Sequence, residues 1–370
     1  MRVTYKLLSS SFLYNLDRNR LDLFELQTQI ATSRRINRPS DDPAGVGRLL
    51  RLRSLVKRIE GYQSNIDEAE DWMSTTEGAL REIWEIFSDV RTTLLRAADD
   101  SMDAQSRKAL AYRVEQLLES LLQIANSQKE GRHIFGGTET QTTPYTASYE
   151  AIEEFTATYN TAVPLAHTQI EQGSLTVTDG STTYREGVDY TVDYEKGTIT
   201  VLSSGSMADG AAYQVDYRTQ GISSVRENPE GISGKIYRAV GEGLTMQANI
   251  TGPEVFGGEP DAFQVLIQTR DLLVRDDGGG IRALIIKVDI LLGRLDSHLA
   301  DLGTRIERME ATRQLLDRER LNAQGLLDAI EGTDIAQAIV ELQRQEAIYR
   351  AALQLGSRVV QPSLVDFLEL

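Results

Sequence analysis

LRSLVKRIEGYQSNIDEAEDWMSTTEGALREIWEIFSDVRTTLLRA, residues 52–97, repeats its apolar pattern every seven residues. Leu52, Ile59, Ile66, Met73, Leu80, Phe87 and Leu94 occupy one position of the heptad. Leu55, Tyr62, Ala69, Thr76, Ile83, Val90 and Ala97 follow three residues later. Steps of three and four place all of them along one side of a helix, which is the seam of a coiled coil. A second seam runs through Ile281, Ile285, Val288, Leu292, Leu295, Leu299, Leu302, Ile306 and Met309. Helices so long and one-sided need a partner for their apolar stripe. The two rods predict an elongated protein whose ends return to one another, a shape suited to assembly.

Shorter helical patterns flank the rods. Phe12, Leu16, Leu23, Leu26 and Ile30 keep the four-three spacing and predict a first helix over about 7–35, with Asn19 as a polar interruption that can set register. Ile335, Ile339, Leu342, Tyr349 and Leu353 predict the seam of a last helix, capped by Thr333 or Asp334 and ended by Pro362. A third helix is expected over about 103–130, with Gly131 as its stop. Between the first helix and the long rod lies SRRINRPSDDPAG, residues 33–45. Its prolines disfavour helix in the residues before them, and Asp42 before Pro43 is a ready N-cap.

The middle of the chain changes character. Residues 145–250 contain four leucines but nine of the 14 tyrosines, so the helical pattern has gone. LTVTDGSTTY (175–184) carries an Asp-Gly turn between alternating residues, GVDYTVDYEKGTITVL (187–202) reads as two strands, and AYQVDYR (212–218) as another. The fold class expected is mainly α with a β-rich insert, built on long antiparallel coiled-coil-like rods from both chain ends. The expected division is terminal assembly helices (1–40 with 333–370), a helical rod domain (41–144 with 250–332) and an outer β domain (145–249).

Composition excludes several functions. The formal net charge is −16, from 39 basic and 55 acidic side chains, which argues against general binding to phosphate backbones. Residues 1–60 are the exception, with 12 basic and 6 acidic side chains, which read as a charged helix face. No cysteine is present, so disulfides, thiolate metal sites and cysteine nucleophiles are excluded. No apolar run is long enough for a membrane span. The first residues lack a signal peptide's apolar core, so export without cleavage is expected.

No catalytic constellation emerges. His133, His167 and His298 are remote from one another and lack metal-ligand spacing. Asp41 and Asp42 read as helix-capping groups rather than an acid–base pair. Trp72 and Trp84 read as packing residues on the rod. No enzyme activity, metal or cofactor is expected.

LQTQIATSRRINRPSDDPAGVGRLLRLRS (26–54) resembles the N-terminal signature of the bacterial flagellin superfamily, in which a long helix runs into a G-x-R-I-N-x-x-x-D-D-x-A-G turn. Arg35, Ile36, Asn37, Asp41, Asp42, Ala44 and Gly45 match. Pro39 and Pro43 resemble the branch of the superfamily that joins hook to filament, as do NSQKEGRHIFGGTETQTTPY (126–145), VFGGEPDAFQVLIQTRDLLVRDD (255–277) and the C-terminal LQRQEAIYRAALQLGSRVVQPSLVDFL (342–368). The resemblance implies terminal segments that are disordered in the monomer and form a paired coil on assembly, with the insert outside. It implies a secreted structural adaptor of the flagellum, exported through the flagellar type III apparatus. Its partners would be other copies of itself, a neighbouring hook-associated protein, flagellin on the filament side, and a chaperone at the C-terminal region. A filament flagellin is the nearest alternative, and a secreted adhesin using the β insert a more distant one.

Overall fold

A computed structural model describes residues 2–99 and 101–360. Residues 361–370, including the expected stop at Pro362, lie outside the described residues. Seven helices are described: α1 (Arg2–Thr32), α2 (Pro43–Ala97), α3 (Ala104–Ala125), α4 (Gly252–Val255), α5 (Ala262–Arg275), α6 (Gly278–Glu331) and α7 (Ile335–Val360). Thirteen short strands lie between α3 and α4. They are β1 (Gln128–Lys129), β2 (Arg132–His133), β3 (Tyr145–Ser148), β4 (Glu150–Thr156), β5 (Ala162–Pro164), β6 (Thr176–Thr178), β7 (Thr183–Tyr184), β8 (Tyr190–Asp193), β9 (Thr198–Val201), β10 (Ala212–Arg218), β11 (Ser224–Glu227), β12 (Tyr237–Gly241) and β13 (Leu244–Gln247). The expected class, long helices with a β-rich region, is the one observed.

The described chain divides into two compact units, residues 1–63 with 313–370, and residues 64–312. Both boundaries fall inside the long helices. In the first unit α1 and α7 run antiparallel: the Gln345 amide donates to Asp22 at 3.5 Å near one end, and Phe12 lies against Gly356 near the other. Gln63 on α2 donates to Asp317 on α6 at 2.8 Å. In the second unit Arg91 on α2 donates to Asp289 on α6 at 2.5 Å.

The α2 heptad is buried from Ile59 onward: Ile66, Met73, Leu80, Ile83, Val90 and Leu94 have essentially no exposed surface. On α6 the buried line is Ile281, Val288, Leu295, Leu302, Met309, Leu316 and Ala323, joined by Leu284 and Leu291. The expected Ile285, Leu292, Leu299 and Ile306 lie half-buried at its flank. Both sets keep apolar spacing, and only the partner surface decides between them.

The β region of the second unit has its own core. A four-stranded sheet ordered β4-β10-β6-β7 and a three-stranded one ordered β5-β9-β8, all antiparallel, enclose Phe155, Val177, Tyr190, Ile199, Val215 and Tyr217. Period-two alternation gives β10 its burial pattern, with Tyr213, Val215 and Tyr217 inward. Where this region meets α3 and α5, Arg270 is 1% exposed. It donates to Glu115 at 2.7 Å, to the Ile222 carbonyl at 2.8 Å and to Asp271 at 3.0 Å. Asp271 also accepts from Thr168 at 2.7 Å and lies 3.2 Å from His167 Nδ1. A buried guanidinium is tolerable only when so many acceptors surround it.

Two local expectations are corrected. The third helix ends at Ala125, capped by Asn126, and Gly131 serves the hairpin between β1 and β2. Glu130 and Gly131 have φ of 51° and 76°, the left-handed pair that a two-residue hairpin turn requires. Trp84 is not a packed core residue: it is 37% exposed, whereas Trp72 is buried with Arg132 over its ring.

Candidate functional site

The turn between α1 and α2 is built from local hydrogen bonds that its residue types dictate. Asp41 Oδ2 accepts from the backbone of Asn37 at 3.0 Å and of Arg38 at 2.7 Å. The Asp41 N–H returns to the Arg38 carbonyl at 3.0 Å, closing a β-turn with Pro39 at its second position, where a fixed φ is favoured. Asp42 caps α2 by accepting from the Gly45 N–H at 2.8 Å, and Pro43 opens the helix. Gly45 is required there, because a Cβ would come within 2.4 Å of Asp42 Oδ2 and 3.0 Å of Ile36. Ala44 is exposed beside it, and Ile36 is the buried anchor of the turn. Asn37 donates to the Arg34 carbonyl at 2.7 Å and accepts from Thr32 at 2.9 Å.

These bonds set the electrostatics. The Arg38 N–H, followed by that of Asn37, holds the Asp41 carboxyl below its ordinary value, and the Gly45 N–H does the same for Asp42. Both are consumed as acceptors, which leaves neither as a general base.

Counted along the G-x-R-I-N pattern, the glycine position falls on Ser33, which adopts the left-handed conformation with φ of 57° that glycine favours. Arg34 occupies the variable position after it. Arg34 pairs with Glu331 at the end of α6 at 2.6 Å. Glu331 also accepts two bonds from Arg53 at 2.7 and 2.8 Å. The Arg35 N–H reaches the Glu331 carbonyl at 2.7 Å, and its guanidinium reaches the Ile330 carbonyl at 3.1 Å. Glu331 thus ties the turn, the start of α2 and the end of α6 into one knot. The sequence reading missed Glu331 and Arg53, which are 278 residues apart and have no local signature.

The predicted seam residues fall on two faces. On α1, Phe12, Leu16, Asn19, Leu23, Leu26 and Ile30 are half-buried in one line. On α7, Leu342 and Tyr349 are half-buried, but Ile335, Ile339 and Leu353 are 43%, 41% and 46% exposed. The more enclosed line of α7 runs through Ala338, Leu342, Gln345, Tyr349, Ala352 and Gly356. Gly356 has to be small because α1 approaches closely there: a Cβ on it would lie 2.3 Å from the Phe12 ring. Ile335, Ile339 and Leu353 are left for the outside. Leu7, Tyr14, Leu21 and Phe24 on α1 are likewise 63%, 70%, 59% and 58% exposed.

Among the described residues no group of His, Asp and Glu side chains has metal-site geometry, and no helix is long and apolar enough to cross a membrane. His133 bonds Gln128 and the Asn126 carbonyl, His167 meets Asp271, and His298 meets the Glu254 carbonyl.

Comparison with known proteins agrees with the turn and the helices. Residues 3–140 match the bacterial flagellin N-terminal helical region, and residues 131–227 match a family described only as a protein of unknown function. Flagellin E of Vibrio cholerae is 23% identical over 354 residues, covering 92% of this chain and 91% of that protein. A Clostridium tyrobutyricum flagellin is 27% identical over 127 residues, and the chain spans only 34% of its length. Flagellar hook-associated protein 3 of Salmonella typhimurium is 22% identical over 146 residues, 39% of this chain and 46% of that one. A solved Vibrio parahaemolyticus structure described as a flagellar hook-associated protein superposes with a TM-score of 0.52 at 19% identity, covering 79% of this chain and all of its own. Residues 3–140 are thus similar to the flagellin N-terminal helical region, and the hook-associated structure shares the fold of this chain.

Proposed function

We propose that this chain is a structural adaptor of the bacterial flagellum that joins hook to filament by axial self-assembly. The observation that carries the reading is the pair of faces on α1. One face lies against α7, while Leu7, Tyr14 and Leu21, seven residues apart, stand exposed on the other with Phe24. A heptad-spaced apolar stripe with nothing over it is a seam awaiting a partner. Ile335, Ile339 and Leu353 on α7 extend the same argument. The hook-associated fold neighbour and the partial match to hook-associated protein 3 favour the junction among flagellar roles.

In this reading the terminal helices order fully only when neighbouring copies cover their outer stripes, so the single chain stays soluble through export. Pairing of α2 with α6 supplies the rod of this reading: Gln63 meets Asp317 within the first unit, and Arg91 meets Asp289 within the second. A hook-associated protein on one side, flagellin on the other, a C-terminal export chaperone and secretion through the flagellar type III route complete the proposal. No step requires catalysis or a cofactor.

Deleting the gene tests it. A strain without the adaptor keeps its hooks, lacks filaments and releases flagellin into the medium. Match with Flagellin E along nearly the whole chain favours a filament subunit as the second reading. In that case the deletion strain lacks this chain from its filaments and releases no other flagellin.

A further inference from the structure

Two grooves on the helices carry opposite charge. In the first unit, Leu52, Leu55, Leu326 and Ile330 floor a groove of about 510 Å³ edged by Arg48, Arg51 and Arg58. The three arginines are exposed, share one side of α2 and have no carboxylate partner among the described residues. In the second unit, Ile86, Leu117 and Ile124 floor a groove of about 480 Å³ that holds Trp84, Glu82 and Glu85. Asp89 closes this groove and is paired with Arg113 at 2.9 Å, whereas Glu82 and Glu85 are exposed without a cationic partner among the described residues. Trp84, an indole 37% exposed beside free carboxylates, is an unusual surface residue for a monomer.

The charge asymmetry extends to the whole units. Residues 1–63 with 313–370 hold 18 basic and 15 acidic side chains, a net +3. Residues 64–312 hold the remaining 21 basic and 40 acidic, a net −19. Contact between two second units is repulsive, while contact between a first and a second unit is attractive.

We propose that the arginine-edged groove of one copy docks on the Trp84 groove of the next copy. Arg48, Arg51 and Arg58 meet Glu82 and Glu85, the two apolar floors cover each other, and a guanidinium lies on the Trp84 ring, where a cation is held by the ring's electron-rich face. Arg and Trp are the residue types that dominate desolvated interface centres. The contact is heterologous, because each copy offers both grooves, so it propagates head to tail. This pairing deepens the self-assembly proposed above, on which it rests, by naming a contact outside the terminal helices. An acidic partner protein on the arginine groove is the competing occupant.

The absence of cysteine makes the test direct. Arg51→Cys and Glu85→Cys in one chain place the only two thiols in the two grooves. A short bismaleimide, applied to the concentrated purified chain at low salt and to flagella isolated from cells carrying this variant, gives a ladder of covalent oligomers. Each single-cysteine variant stays monomeric. Adding Arg58→Glu lowers the cross-linked fraction at least tenfold, and Glu82→Arg on top of it restores at least half, with unchanged helical circular dichroism throughout. No ladder in either sample, dimers from a single-cysteine variant, or no recovery with Glu82→Arg overturns the pairing. If the deletion strain shows bare hooks while no ladder forms, the adaptor reading stands and the groove contact alone falls.

Discussion

The Phe12 ring occupies the space that a side chain at position 356 would fill: a Cβ built on Gly356 would lie 2.3 Å from the ring's Cζ and 2.4 Å from Cε1. This one approach fixes how α1 and α7 meet. Gly356→Leu therefore forces the helices apart at a cost of about 1–3 kcal/mol, the usual penalty of overpacking. Amide exchange in α1, measured on the assembled chain, becomes about five- to a hundredfold faster. Phe12→Ala in the same chain restores part of the protection. Unchanged exchange in Gly356→Leu would show that the two helices do not meet at this point.

Glu331→Ala removes the shared acceptor of Arg34 and Arg53. Glu331 is itself largely buried, but both arginines are about half exposed, so solvent screens much of the pairing. We expect a loss of about 1–2 kcal/mol from the first unit, seen as a lower melting temperature. Arg53→Ala alone costs less, because Arg34 remains. Equal effects of the two substitutions would contradict the shared-acceptor arrangement.

The two seam types separate in a pair of charge substitutions. Leu295 is 2% exposed on α6, and Ile339 is 41% exposed on α7. Leu295→Glu buries an unpaired carboxylate and lowers the melting temperature strongly, by several kcal/mol of stability. Ile339→Glu leaves the monomer's melting nearly unchanged and abolishes filament formation in complementation. Should Ile339→Glu melt as early as Leu295→Glu, the outer face of α7 belongs to the folding core.

These outcomes depend on what the sequence could and could not reveal. The turn at 33–45 was legible because its bonds are local: Asp41 and Asp42 satisfy N–H groups no more than four residues away. The α2 seam was legible because large apolar residues fill one of its two positions without a gap, from Leu52 to Leu94. The line of α7 that faces α1 was not legible, because Ala338, Ala352 and Gly356 carry little hydrophobic signal, whereas the exposed Ile335, Ile339 and Leu353 carry much. The Glu331 knot was invisible, since only folding brings residues 34, 53 and 331 together.

The turn carboxylates give a pH dependence of definite sign. The native Asp41 and Asp42 pKa values lie below the ordinary 3.8. A group with a depressed native pKa stabilises the fold above its unfolded value and loses that contribution as pH falls through the native one. Stability should therefore decline on acidification below about pH 4. Asp42→Asn should be less stable than the natural chain at neutral pH, with a smaller difference in acid. A carboxyl carbon titration by NMR with Asp42 at or above its ordinary value would refute the capping geometry.

Assembly through the outer stripe of α1 is the central claim, and Leu21→Glu tests it most directly. Leu21 is 59% exposed, so the substitution leaves the monomer folded. In a strain carrying this variant as its sole copy, electron microscopy should show hooks without filaments, with flagellin in the medium and the variant chain still exported. Filaments of normal number and length would mean that the outer face of α1 is not the assembly seam, and would contradict the account.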